Sequence, residues 1–125
     1  MFSLPDKTAL VTGGGSGIGR AIATLFAKQG ATVCILDLDE KGASATVEEI
    51  TTAGGKASFI TCNVSDQSAV KAAVAQLPAV HILVNNAGVA HVGTAENTST
   101  EDFTRIFEIN VKGIYNCLHE VIPVM

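Results

Sequence analysis

The residues with the clearest chemical potential are Thr12-Gly13-x-x-x-Gly17-x-Gly19. They form a glycine-rich turn between an apolar run, Ala9-Leu10-Val11, and a segment of helical periodicity from Ile18 to Gln29. A strand, a glycine turn and a helix start, in that order, make a phosphate site. One glycine permits the tight turn, one lets the backbone approach a pyrophosphate, and one lets the helix pack close to the strand. The helix start offers unpaired N–H groups and a partial positive charge to an anion. Gly13, Ser16, Gly17, Ile18 and Gly19 are therefore candidates to hold the diphosphate of a dinucleotide. The alternative is a tight strand-to-helix turn with no ligand.

Three further groups fit the same ligand. Asp37 ends the second apolar run, 18 residues after Gly19. A carboxylate there can accept hydrogen bonds from adenosine ribose hydroxyls and would repel a 2′-phosphate. Leu38 follows, and no Arg or Lys lies beside Asp37, so NAD is favoured over NADP. Alternatively, Asp37 is a loop carboxylate before Asp39. Asn63 and Val64 would lie by the adenine, Asn63 pairing with the exocyclic amine and Val64 packing on the ring. An Asx turn into Ser65-Asp66 is the competing reading of Asn63. Asn86-Ala87-Gly88 puts small residues where a sugar and the backbone must come close, although Asn85 and Asn86 can equally bond neighbouring main-chain groups.

Strands and helices alternate so as to bring these groups together. Apolar runs predict strands at about residues 7–11, 32–36, 57–62 and 82–84. The first helix is expected to bury Ile18, Ile22, Leu25 and Phe26, with Gly30 as its terminal glycine. Asp39 can cap a second helix that turns Ala43, Val47 and Ile50 inward and stops at Gly54-Gly55. Ser65-Asp66 opens a third, with Val70, Ala73, Val74 and Leu77 inward, closed by Pro78. Residues 89–97 look like an exposed loop. Thr98-Ser99-Thr100-Glu101 has capping-box spacing and opens a helix to about Ile122. Phe103, Phe107, Ile114, Leu118 and Val121 form its apolar stripe, widened by Ile106, Ile109 and Cys117, which suggests cover on more than one side. Right-handed crossovers then predict an α/β fold, a doubly wound parallel sheet of strand order 3-2-1-4, with ligand between strands one and four.

Together these motifs resemble the N-terminal half of a short-chain dehydrogenase/reductase. The Thr12-Gly13-x-x-x-Gly17-x-Gly19 turn, Asp37, Asn63-Val64, Asn85-Asn86-Ala87-Gly88 and Asn110-Val111-x-Gly113 come in the family's order and span nearly the whole chain. The chain is most similar to the group of 3-oxoacyl-(acyl carrier protein) reductases and generic alcohol or sugar dehydrogenases. The resemblance implies a Rossmann fold, a nicotinamide dinucleotide cofactor, and interconversion of a secondary alcohol and a ketone. It also implies a Tyr acid/base with a Lys four residues on, a Ser that orients the carbonyl, and an Asn that holds a proton-relay water. Asn110 matches that Asn. The Ser and the Tyr-x-x-x-Lys have no match, so residues 1–125 read as a dinucleotide-binding half-domain without the catalytic second half, inactive alone. A non-catalytic dinucleotide-binding or interaction module is the alternative; a methyltransferase on a similar sheet fits the glycine spacing and Asn85-Asn86-Ala87-Gly88 poorly. Three departures stand out. Asn63 replaces the usual Asp, which should weaken an adenine contact; the segment from Ala75 to His81 is short; and His81 stands where Asp is common.

Composition narrows the rest. The chain has 125 residues, 47% hydrophobic and 16% charged, ample for one folded core. A net charge of −4 without a basic stretch argues against nucleic-acid or anionic-membrane partners. No apolar run approaches the roughly 18 residues needed to cross a bilayer, and Met1 to Asp6 lack signal-peptide character. Cys34, Cys62 and Cys117 read as reduced core residues, giving a cytoplasmic expectation. His81, His91 and His119 are scattered, so no metal site is expected. Tyr115 and His119 share a helix face by spacing and read as core or interface residues. The broad stripe of the 98–122 helix leads us to expect a homo-oligomer formed through it.

Overall fold

The computed structural model describes residues 1–125. Four parallel strands, β1 (Thr8–Thr12), β2 (Thr32–Asp37), β3 (Lys56–Thr61) and β4 (Ile82–Val84), form one sheet in the order β3-β2-β1-β4. The crossovers are the helices α1 (Gly17–Lys28), α2 (Glu40–Thr52) and α3 (Gln67–Ala75). This is the expected doubly wound, Rossmann-type arrangement.

Alternation along the central strands sends side chains to opposite faces and creates two cores. Leu10, Cys34 and Leu36 pack with Val70, Val74, Cys117 and Val121 on one face. Ala9, Val11, Val33 and Ile35 pack with Ala23, Ala27, Ala43 and Ile50 on the other. Continuous apolar runs are what a strand covered on both faces requires.

The face of α1 differs from expectation. Gly19, Ala23 and Ala27 are buried, whereas Ile18 is 74% and Leu25 37% exposed. Small residues win because α1 starts directly against β1. A Cβ on Gly19 would overlap the Gly13 carbonyl oxygen and Asn86 Nδ2, so the helix–sheet spacing has no room for large side chains. α2 and α3 bury the expected residues, Ala43 and Ile50, and Val70, Ala73 and Val74.

Beyond β4, the expected single helix has three parts: α4 (Thr100–Phe107), a π-helical turn (Glu108–Lys112) and α5 (Gly113–Val121), followed by a 3₁₀ turn at Ile122–Val124. Its cap is Ser99, whose hydroxyl accepts from the Asp102 N–H at 3.1 Å, one residue later than the spacing of Thr98 and Glu101 predicts. The stripe divides: Cys117 and Val121 are buried, while Phe103, Phe107, Ile114 and Leu118 are exposed. The exposed rings of Tyr115 and His119 lie 5.5 Å apart between centroids. His81 extends the pairing of β4 with β1, donating its N–H to Thr8 O at 2.9 Å and accepting the Thr8 N–H on Nδ1 at 2.9 Å. An acceptor thus survives where the resemblance expects Asp, and the neutral ring carries its proton on Nε2. No helix is long and apolar enough to cross a membrane.

Candidate functional site

At the carboxyl ends of the strands, where β1 and β4 part, lies a cleft of about 370 Å³. Parallel sheets bind ligands at this switch point. Gly13, Ser16, Gly17, Ile18, Asp37, Asn63, Val64, Asn86, Ala87 and Gly88 all line it, drawn together from four separate turns. Gly19 stands behind the turn as a packing residue.

The first turn is shaped for close approach. Gly13 and Gly17 have φ of +68° and +54°, left-handed values that favour glycine. A Cβ at Gly13 would sit 2.8 Å from Asn86 Nδ2 and 2.9 Å from Ala87 Cα. Asp39, Asp66 and Ser99 each cap the helix they precede with a side-chain oxygen, at 3.1, 3.2 and 3.1 Å. Ser16, before α1, makes no such bond, and the first turn of α1 holds no acidic residue. The free N–H groups and the positive end of α1 are left for an anion.

Asp37 bonds directly to this turn and lines the cleft beside it. Its Oδ2 accepts from the Gly15 N–H and its Oδ1 from the Asp39 N–H, both at 2.9 Å. The carboxylate is therefore fixed in orientation, with lone pairs to spare for a diol. No Arg or Lys lines the cleft, and the Arg20 guanidinium is paired with Glu49 on α2.

Asn63 makes the Asx turn. Its Oδ1 accepts from the Ser65 N–H at 3.0 Å and the Ser65 hydroxyl at 2.7 Å. Behind it, Asn116 on α5 donates from Nδ2 to Val64 O at 2.8 Å. Burial pushes the Cys62 thiol above its ordinary pKa, and the Asp66 charge adds to this. Burial, with a contribution from Cys62, pushes Cys117 up to about 11.

Thr12 opens the glycine motif but had no role of its own in the sequence reading. Its hydroxyl accepts from the N–H groups of Asn86 and Ala87, each at 2.9 Å, and donates to Val84 O at 3.4 Å. With Asn86 Nδ2 donating to Gly13 O at 3.1 Å, this ties the end of β4 to the glycine turn. Its place at the head of the glycine motif, as a hydroxyl on the last residue of β1, is the signal in sequence. Leu36, Leu38, Cys62, Val89 and Ile109 also line the cleft without having been singled out.

Asn110 lies in the π turn, outside the cleft lining. Its Oδ1 accepts from the Val89 N–H and its Nδ2 donates to Val89 O, both at 2.8 Å. Both ends of the amide hold the segment after Gly88, so the side chain acts on the backbone next to the cleft. Tyr115 is 54% exposed and does not line the cleft.

Comparison with known proteins agrees with this architecture. The family model for short chain dehydrogenase matches residues 7–125. An uncharacterized oxidoreductase of Thermotoga maritima is 45% identical over 90% of this chain and 45% of its own length. A cyclopentanol dehydrogenase of Comamonas testosteroni is 40% identical over 100% of this chain and 52% of its own. The structure of a short-chain dehydrogenase/reductase from Burkholderia phymatum, in complex with NAD, superposes with a TM-score of 0.92 at 34% identity, covering 100% of this chain and 46% of that one. The chain spans about half the length of the curated relatives it matches. With the glycine turn, the Asp at the end of β2 and the Asn-Ala-Gly turn after β4 in one cleft, and a family match from Lys7 to the last residue, the chain belongs to the short-chain dehydrogenase family.

Proposed function

We propose that residues 1–125 are the cofactor-binding half of an NAD-dependent oxidoreductase that interconverts a secondary alcohol and a ketone. The observation that carries the reading is the uncapped start of α1 beside the fixed Asp37 carboxylate in one cleft. The N–H groups near Ser16 and Ile18 hold the diphosphate, and Asp37 accepts from the ribose hydroxyls. A 2′-phosphate would meet the Asp37 charge, and no Lys or Arg lines the cleft to offset it. Bound there, a nicotinamide ring supplies the hydride acceptor. Asn110 holds the Val89 backbone in place, and the family resemblance assigns it the holding of a proton-relay water in the whole enzyme.

A secondary alcohol as substrate is supported by the Comamonas relative, named for cyclopentanol. No Tyr, Lys or His lines the cleft, so these residues alone bind the dinucleotide without turning over an alcohol. The exposed Phe103, Phe107, Ile114 and Leu118 support association of two copies through α4 and α5.

Calorimetric titration tests the reading. NADH should bind more tightly than NADPH, and Asp37→Ala should lower that preference by roughly tenfold, the weight of a lost charge-assisted hydrogen bond. No heat from NADH with folded protein, or an unchanged preference in the variant, would overturn it.

A further inference from the structure

The peptide between Gly14 and Gly15 is held at both of its polar ends. Both residues are buried. The Gly15 N–H donates to Asp37 Oδ2 at 2.9 Å, and Gly14 O accepts from the Thr46 hydroxyl at 3.0 Å. In a trans peptide the carbonyl and the N–H point in opposite directions, so fixing one fixes the other. Thr46 grips this peptide on one side and Asp37 is gripped by it on the other.

Thr46 is 0% exposed and sits on α2, one turn beyond Gly42. A Cβ on Gly42 would lie 2.8 Å from Gly15 O, and one on Gly15 would lie 2.8 Å from Ala43 N, so the two backbones touch. The Thr46 proton has a second carbonyl within reach, Gly42 O at 3.2 Å. That carbonyl is four residues back in the same helix, where the Thr46 N–H serves it. Gly14 O lies outside every helix and strand and has no other partner. The hydroxyl therefore satisfies a buried acceptor that would otherwise stand alone.

Glycine on both sides leaves no Cβ to resist rotation of this peptide plane. Rotation would bring the Gly14 carbonyl oxygen toward Asp37 in place of the Gly15 N–H. A partial negative charge would then face the carboxylate, and Oδ2 would lose its anchor. Only the Asp39 N–H would still hold Asp37, at Oδ1.

We propose that Thr46 is a positioning residue for cofactor choice, its hydroxyl locking the Gly14–Gly15 peptide in the orientation that fixes the Asp37 carboxylate toward the ribose. The inference rests on the dinucleotide reading above. A carboxylate held at one oxygen is free to turn, and a turning carboxylate loses grip on ribose hydroxyls and repels a 2′-phosphate less. Discrimination between the two cofactors falls on both counts.

The test is the ratio of NADPH to NADH dissociation constants, read by calorimetric titration. Thr46→Val keeps the outline of the side chain and removes the hydroxyl. It should lower the ratio by roughly threefold to tenfold, the weight of one hydrogen bond. Thr46→Ser keeps the hydroxyl and should keep the ratio. A general loss of folding weakens both ligands alike and leaves the ratio in place. In an Asp37→Ala background, Thr46→Val should have no further effect, because the lock acts through that carboxylate. A ratio lowered by Asp37→Ala but unmoved by Thr46→Val overturns the proposal and leaves the cofactor reading standing. So does a ratio that Thr46→Ser lowers as far, or one that falls again in the double variant. A ratio unmoved by Asp37→Ala, or no heat from NADH with folded wild type, overturns both. Should Thr46→Val fail to fold, Thr46→Cys, a weaker donor in the same place, is measured instead. A smaller fall in the same direction is then expected, and no fall overturns the proposal.

Discussion

Replacing Thr12 by Val tests the clamp between β1 and the end of β4. The side chains have nearly the same shape, so the change removes a hydroxyl and little else. Thr12 is 1% exposed, and its oxygen serves the Asn86 and Ala87 N–H groups at 2.9 Å each. A stranded N–H costs about 1–3 kcal/mol. Asn86 and Ala87 are only half-buried, which puts the pair near the lower bound, at about 2–3 kcal/mol. The added methyl returns less than about 1 kcal/mol. A net loss of about 2 kcal/mol, at about 4 °C per kcal/mol for a chain of this size, lowers Tm by about 8 °C. Thermal denaturation followed by circular dichroism measures this, and NADH affinity should fall in parallel because Asn86, Ala87 and Gly88 line the cleft. Thr12→Ser keeps the hydroxyl and loses about one methyl, so it should cost about 3 °C. The reasoning is refuted if Thr12→Val melts within about 2 °C of wild type, or if Ser proves as damaging as Val.

Two glycines of the turn should respond differently to alanine. Gly13→Ala combines φ of +68° with overlap onto Asn86 and Ala87 and should cost more than about 3 kcal/mol. Gly17→Ala, at φ +54° in open space, should cost only about 1–2 kcal/mol; urea titration separates them, and equal losses would contradict the geometry. The thiols predict alkaline instability. Cys117 titrates at about 11 when folded against 9.0 for an ordinary thiol, so the unfolded chain gives up this proton first and binds fewer protons than the folded one. That contribution is fully present below 9.0 and is lost as pH rises through about 11. Cys34 and Cys62 are raised in the same direction and steepen the fall. Cys117→Ala should flatten the decline in urea midpoint across that window.

Much of this arrangement was legible in the sequence because local chemistry and global topology agree. Apolar runs marked β1 and β2, the crossover rule ordered the sheet, and the glycine turn and Asp37 fell at strand ends where the cleft opens. What escaped depends on contacts distant in sequence or on fine geometry. Hydrophobicity pointed to Ile18 and Leu25 as the inner face of α1, but spacing set by Gly19 admits only Ala23 and Ala27. Thr12 looks like any strand-forming residue until Asn86 and Ala87 arrive against it. Two readings of Asn63 stood open in the sequence, and its oxygen accepts from Ser65, two residues on, as the Asx turn requires.

The π turn at Glu108–Lys112 acts as a phase adjuster. One residue more or less in a helix rotates everything after it by about 100°. The turn sets the azimuth of α5 relative to α4, so that Asn110 meets Val89 while Gly113 and Asn116 meet Val64. Shortening the segment to a regular helix would satisfy the local backbone and yet dial one of these two contacts out of register. Length in this stretch is thus constrained more tightly than the identity of its exposed side chains.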